Sequence, residues 1–176
     1  MIIKTKILNK EIDTPKLKYA KNRDAGIDLT ATSKWHDENG NICYGTNRAF
    51  EIPNGFVGLL FPRSSNAKQD LLLSNSVGIL DSGYRGEVMF KFKKQINNEK
   101  SVLNTIITVQ NMAEIKDDFK QLGLLNEDDI ENFTEYQLGD RIGQIIILPY
   151  PQIEFEEVEE LSDSERGKGG YGSTGK

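Results

Sequence analysis

Cysteine and histidine are nearly absent: among 176 residues, Cys43 and His36 are the only thiol and the only imidazole. One cysteine permits no disulfide within the chain, and a reducing compartment is the simpler expectation. A zinc centre of the nucleobase-deaminase kind needs paired cysteines with a histidine and a glutamate, so it is excluded. A Ser-His-Asp triad would have to recruit His36, which stands beside the polar run Asp37-Glu38-Asn39-Gly40 and reads as a loop residue. A cationic surplus is missing too. Lys and Arg number 22 against 27 Asp and Glu, for a net charge of −5, whereas a protein living on nucleic-acid phosphates needs a basic face. A small triphosphate is not excluded, because a few local cations and a metal ion can hold one. No apolar run reaches membrane-spanning length. The opening MIIKTKILNK alternates like a strand rather than a signal peptide. The expectation is a soluble, cytoplasmic protein that partners neither membrane nor nucleic acid.

What is present is a series of short alternating stretches separated by turn chemistry. Strands are predicted at residues 2–8, 26–31, 49–52, 56–61, 71–73, 87–92, 144–148 and 153–158. Pro53-Asn54-Gly55 is a turn with a mechanism, since proline fixes φ and glycine accepts positive φ. This spacing predicts one all-β domain of sandwich or jelly-roll type. Residues 95–137 interrupt it. Ile115, Phe119 and Leu122 recur at helical spacing before Gly123, and Asn126 precedes an acidic first turn at Glu127, Asp128 and Asp129. The stretch reads as a partly helical insert on a β scaffold of residues 1–165. The last eleven residues, RGKGGYGSTGK, are glycine-rich. Ordering such a tail costs about 1–2 kcal/mol per residue, so it should be mobile when nothing is bound.

Five segments hold polar residues and glycines that a β scaffold does not explain. They are AGIDLTA at 25–31, PRSSNA at 62–67, GILDSGYRGE at 78–87, GDRIGQ at 139–144, and the tail. Each alone is weak, and Asp81 alone would pass for a turn-stabilising residue. Together, in this order, the chain resembles the trimeric dUTPase family over both of its ends, with only the insert outside the likeness. The tail's Gly170-Tyr-Gly-Ser-Thr-Gly175-Lys176 also approaches a P-loop pattern. That match fails, because the hydroxyl residue and the helix that must follow the lysine are missing.

The resemblance implies a jelly-roll-like β-clip fold, a homotrimer with shared sites, and Mg²⁺-dependent cleavage of dUTP into dUMP and pyrophosphate. It implies that Asp81 activates the attacking water and that Tyr84 lies under the deoxyribose, excluding a 2′-hydroxyl. Gly78, Ile79 and Leu80 would read the uracil edge through their main chain, with Asn75 as a further uracil contact. Arg63, Ser64, Ser65 and Gln144 would meet the phosphates, and Asp28 would stand near the metal's hydration shell. From the tail, 166–176, which would act as a lid, Tyr171 would stack on uracil. Arg166, Gly172, Ser173 and Thr174 would reach the outer phosphates. Asp140 and Arg141 are expected to form a structural ion pair. Ser65-Asn66 stands where the family has Gly-Leu, Gly83 replaces a common acidic residue, and Gly143 a common alanine.

Two other readings compete. A dCTP deaminase shares the fold, and Arg63-Ser64-Ser65 resembles its serine-rich motif. Its glutamate proton shuttle, however, would fall on Lys91 here, and its arginine on Lys68. A regulatory protein, switched by nucleotide and acting on a protein partner through the insert, is the other.

Overall fold

The computed structural model of the chain describes residues 1–69, 71–94 and 135–169. The helical spacing read at 115–130 and the tail from 170 onward lie outside them. Ten strands follow in order: β1 (Lys4–Ile7), β2 (Ile27–Thr30), β3 (Ser33–His36), β4 (Ile42–Gly45), β5 (Arg48–Glu51), β6 (Phe56–Pro62), β7 (Leu71–Leu73), β8 (Gly78–Leu80), β9 (Met89–Lys94) and β10 (Arg141–Pro149). A 3₁₀ turn at Ser64–Lys68 is the one helical element among them. All pairing is antiparallel. One sheet runs β2-β10-β6-β8, a second runs β3-β4-β9-β7, and β1 pairs with β5. This is the all-β, jelly-roll-like architecture expected from the strand spacing.

Alternation builds the core. Along β9, Phe90 and Phe92 are buried while Met89, Lys91 and Lys93 are exposed, as a period of two requires. The second sheet sends Ile42, Tyr44, Phe90 and Phe92 to the core, and the first sends Leu29, Leu60, Leu80, Ile142 and Ile145. Each such side chain contributes about 1.5–3 kcal/mol by leaving water. Gly143 explains itself here. A Cβ at that position would stand 2.1 Å from the Phe90 ring, so the family's usual alanine does not fit.

Three strands escape the sequence reading. β4 is buried throughout and shows no alternation. β8 has three residues, and β3 reads Ser-Lys-Trp-His. His36 is therefore not a loop residue but the last residue of β3, opposite Ile42. The turn after it is tied by Asp37, whose carboxylate accepts from the Asn39 and Asn41 amides and from the Asn41 side chain. Those Asn41 contacts, with Lys91 nearby, hold the Asp37 carboxyl well below the usual range. Residues 153–158 form no ladder within one chain. Ile153, Phe155 and Val158 point into solvent, Phe155 being 91% exposed. β9 begins two residues later than expected, because Val88 donates to the Arg48 carbonyl and Glu87 accepts the Asn47 amide.

Tyr136, inside the insert by its sequence, is a core residue. Its ring meets Tyr44 at 5.9 Å and Phe92 at 5.5 Å, and its carbonyl accepts the Tyr44 hydroxyl. Beside it, Glu135 pairs with Lys34 at 2.7 Å and with Lys94 at 3.0 Å. Burial works against the Glu135 carboxylate, but the two lysines outweigh it and leave its pKa lowered from 4.5. A depressed carboxyl stabilises the fold fully above its unfolded value and loses that contribution as pH falls through the folded value. Glu135→Gln should cost about 1–2 kcal/mol at neutral pH. In urea unfolding the deficit should shrink as pH drops below about 4.5; a deficit independent of pH would contradict the ion-pair account.

Candidate active site

Of the sequence-predicted residues that the structure describes, all but Arg166 gather into two groups on or beside one sheet. The first sits where β2, β6 and β10 adjoin. Gln144 lies opposite Asp28 on β2 and opposite Phe61 on β6, just before Pro62 and Arg63. Arg63 Nε donates to Asp28 Oδ1 at 2.8 Å, and Arg141 Nη1 reaches Oδ2 at 3.1 Å. Arg141 thus pairs with Asp28 and not with Asp140, which instead accepts the Gln137 amide at 2.7 Å. Gln144 donates to the Pro62 carbonyl at 3.2 Å, and its side-chain oxygen lies where a Cβ on Gly26 would sit. Ser64 is exposed and Ser65 partly so at the start of the 3₁₀ turn. Two guanidinium groups on one carboxylate leave this end net cationic, with hydroxyls beside it. Such a set suits phosphate oxygens.

The second group lines a groove of about 290 Å³ walled by Asn75, Gly78, Ile79, Leu80, Tyr84 and Met89, among others. That is just under the ~300 Å³ at which small-ligand pockets begin. Among the described residues β8 is an edge strand, so one row of its main-chain N–H and C=O groups has no ladder partner there. The chain then turns, the Tyr84 amide donating to the Asp81 carbonyl at 3.0 Å. The Tyr84 hydroxyl donates to the Glu87 carbonyl, and a Cβ at Gly86 would collide with the ring. Asp81 projects into solvent at the turn. This segment is not a paired hairpin: β8 joins β6 in one sheet, while β9 joins β4 and β7 in the other. It is an arch between sheets.

Register separates the two groups. Leu80 lies opposite Gly58, and Arg63 follows β6 five residues further on. At about 3.3 Å per residue that is roughly 17 Å. Arg166 joins neither group. It donates to its own neighbour, the Gly169 carbonyl, on an exposed segment. Tyr171, Gly172, Ser173 and Thr174 lie outside the described residues. Among the described residues, no three His, Cys, Asp or Glu side chains converge on a common point. No helix there is long and apolar enough to cross a membrane.

A family profile for dUTPase matches residues 12–108 and 127–175. The deoxyuridine 5′-triphosphate nucleotidohydrolase of Corynebacterium glutamicum is 35% identical, the match covering 99% of this chain and 95% of the relative. The chain belongs to the dUTPase family. The dUTPase relative from Escherichia phage T5 is 34% identical, covering 77% of this chain and 69% of its own. In solved structures, the Staphylococcus bacteriophage 80alpha dUTPase with dUPNHPP aligns at a TM-score of 0.68 and 25% identity, covering 99% and 98%. Phage dUTPases are described there as controlling transfer of virulence genes by a proto-oncogenic G protein-like mechanism. A dUTPase from phage phi11 of S. aureus, 19% identical with a TM-score of 0.62, shares the fold and is described as coordinating a structural Mg(II) ion.

Against the dUTPase pattern, the departure at Asn66 has a structural reason. Asn66 is buried; its amide donates to the Leu71 carbonyl at 2.7 Å, and its oxygen accepts the Tyr136 hydroxyl at 3.1 Å. This clasp fixes the turn that carries Arg63, Ser64 and Ser65. Nothing in the sequence pairs residue 66 with residue 136, so neither stood out as a positioning residue. Asn66→Ala would strand a buried hydroxyl and a carbonyl, at a cost of about 1–3 kcal/mol. Denaturant unfolding measures it, and a loss too small to detect would mean the clasp does not form in solution.

Proposed function

We propose that the chain hydrolyses dUTP to dUMP and pyrophosphate at sites shared between subunits of a homotrimer. The observation that carries this reading is β8, an edge strand among the described residues, forming one wall of a groove that Tyr84 also lines. Main-chain donors and acceptors can complement uracil O4 and N3–H but not the amino group of cytosine. The Tyr84 ring at the sugar would leave no room for a 2′-hydroxyl. The nucleotidohydrolase names of the relatives support the same substrate.

Sharing between subunits is supported by distance. Asp81 and Arg63 stand at opposite ends of the same sheet within one chain, so the groove beside the Asp81 arch of one copy would meet the arginine end of another. The exposed apolar residues at 153–161 supply an arm with nothing to cover it in a single chain. By family likeness, the tail with Arg166, Tyr171, Gly172, Ser173 and Thr174 would close over the nucleotide from a third copy.

In the proposed mechanism, Asp81 takes a proton from the water that attacks the α-phosphorus in line. The bond from that phosphorus to the bridging oxygen breaks, and pyrophosphate leaves with the electron pair. Arg63, Ser64, Ser65 and Gln144 stabilise the charge that gathers on the leaving oxygens. Mg²⁺ bound to the triphosphate would neutralise part of the same charge. The residues present fit an ion that arrives with the substrate and keeps its waters. Asp28, at the phosphate end, is engaged on both oxygens by arginines and could meet such an ion through water.

Lys91 argues against a deaminase. It pairs with Asp37 at 3.1 Å, and that contact holds its pKa up, so it stays a cation and offers no carboxylate shuttle. A regulatory role alongside catalysis is favoured by the description of phage dUTPases given with the 80alpha structure. The insert would be its contact surface.

Asp81→Asn should lower kcat by about 10²–10⁴ with KM little changed, the loss expected for a general base. Pyrophosphate release from dUTP measures it, and wild-type kcat would refute the assignment. Deleting residues 95–134 while keeping Lys94 and Glu135 should leave turnover and assembly mass intact. Loss of turnover in that variant would assign the insert to the catalytic assembly and not to a partner.

A further inference from the structure

A second cavity lies where the N-terminal segment passes β2, β5 and β10, and its charge is not balanced. Its walls include Lys16, Lys18, Asp28, Thr30, Arg48 and Arg141. Four of these are cations and one is an anion. Asp28 is already held on both oxygens, by Arg63 and Arg141. The uracil groove shares none of these residues, whereas Asp28 and Arg141 also belong to the arginine end described above.

Arg48 is the residue that sets the character of the cavity. It is 5% exposed, yet among the described residues it forms no ion pair with any carboxylate. Of its five N–H groups, one is taken by the Pro15 carbonyl oxygen, and no other acceptor within the described chain meets the rest. Its other nitrogens are not among the sealed, unpartnered polar atoms. They open on the cavity. Burial pushes the Arg48 guanidinium down from its ordinary pKa, and no acidic group offsets the effect. A buried cation left in this state is strongly unfavourable, and a counter-charge from outside the described chain removes the penalty. Such a residue is a mark of a site and not of a well-satisfied core.

We propose that this cavity binds a small inorganic oxyanion of the phosphate class, with Arg48 at its base and Lys16, Lys18 and Arg141 around its mouth. Tetrahedral oxygens accept readily from a guanidinium fork and from ammonium groups. Among the described residues no aromatic ring lines the cavity. A nucleobase would find nothing to stack on, which favours orthophosphate or pyrophosphate over a nucleotide. The inference rests on Arg48, Lys16 and Lys18, which belong to neither group assigned to the substrate, so it and the hydrolase assignment can fail separately.

The test is calorimetric titration of the full-length, assembled protein with orthophosphate, pyrophosphate and dUMP. Wild type, Arg48→Met and a Lys16→Ala/Lys18→Ala double variant are compared. Arg48→Met should weaken orthophosphate and pyrophosphate binding by about tenfold or more, the scale of a lost charge-assisted contact. The double variant should weaken it severalfold, and both should keep wild-type kcat and KM for dUTP. Equal phosphate affinity in all three proteins overturns the proposal, as does phosphate binding too weak to measure in the wild type. An Arg48-dependent site that takes dUMP in preference to the inorganic anions overturns it in favour of a nucleotide. A change in assembly mass on Arg48→Met, with phosphate affinity unaltered, overturns it in favour of a carboxylate from a second copy. Should Arg48→Met fail to fold, the lysine variant decides alone, provided its circular dichroism matches the wild type.

Discussion

Seven consecutive backbone pairings between β6 and β10 fix nearly everything chemical in this protein. They bring Gln144 beside the end of β6, where Arg63 emerges. They leave β10's other side free for β2 and Asp28, and β6's other side free for β8. Because a strand cannot be compressed, the same ladder that assembles the arginine end also holds the Asp81 turn away from it. The fold therefore sets two groups of candidate residues apart in one operation. Most of them stand on strands or on the short turns that leave strand ends.

Much of this was legible in the sequence, and the failures have physical reasons. Strands with one wet face, such as β9, announce themselves by alternation. β4 is buried on both faces and β8 is three residues long, so neither leaves a periodic trace. The stretch at 153–158 has the right alternation but no partner in its own chain, and a strand exists only as half of a ladder. Asp28, Arg63, Gln144 and the groove residues were found by their motif likeness, and the structure brings each set together. Arg141's true partner was not visible, because the contact joins residues 113 positions apart. Asn66 and Tyr136, 70 positions apart, were hidden for the same reason: a clasp between distant polar groups has no local signature.

Four arginines illustrate how position decides the role of one side chain. Arg63 and Arg141 share a carboxylate and are partly open to solvent, so they can turn part of their donor set toward an incoming anion without stranding a charge. Arg85 sits on the surface and braces the turn, donating to the Ser82 and Tyr84 carbonyls. Arg48 has no acid beside it among the described residues and meets solvent only through a cavity. Composition counts all of them alike, and only burial together with the roster of acceptors tells them apart.

The ion pair between Lys94 and Glu135 closes the two ends of one stretch of chain onto each other. The entropy lost in such a closure grows slowly with the number of residues enclosed, by about 0.6 kcal/mol for each doubling. A longer or a shorter connection at this point therefore changes the stability of the β body little.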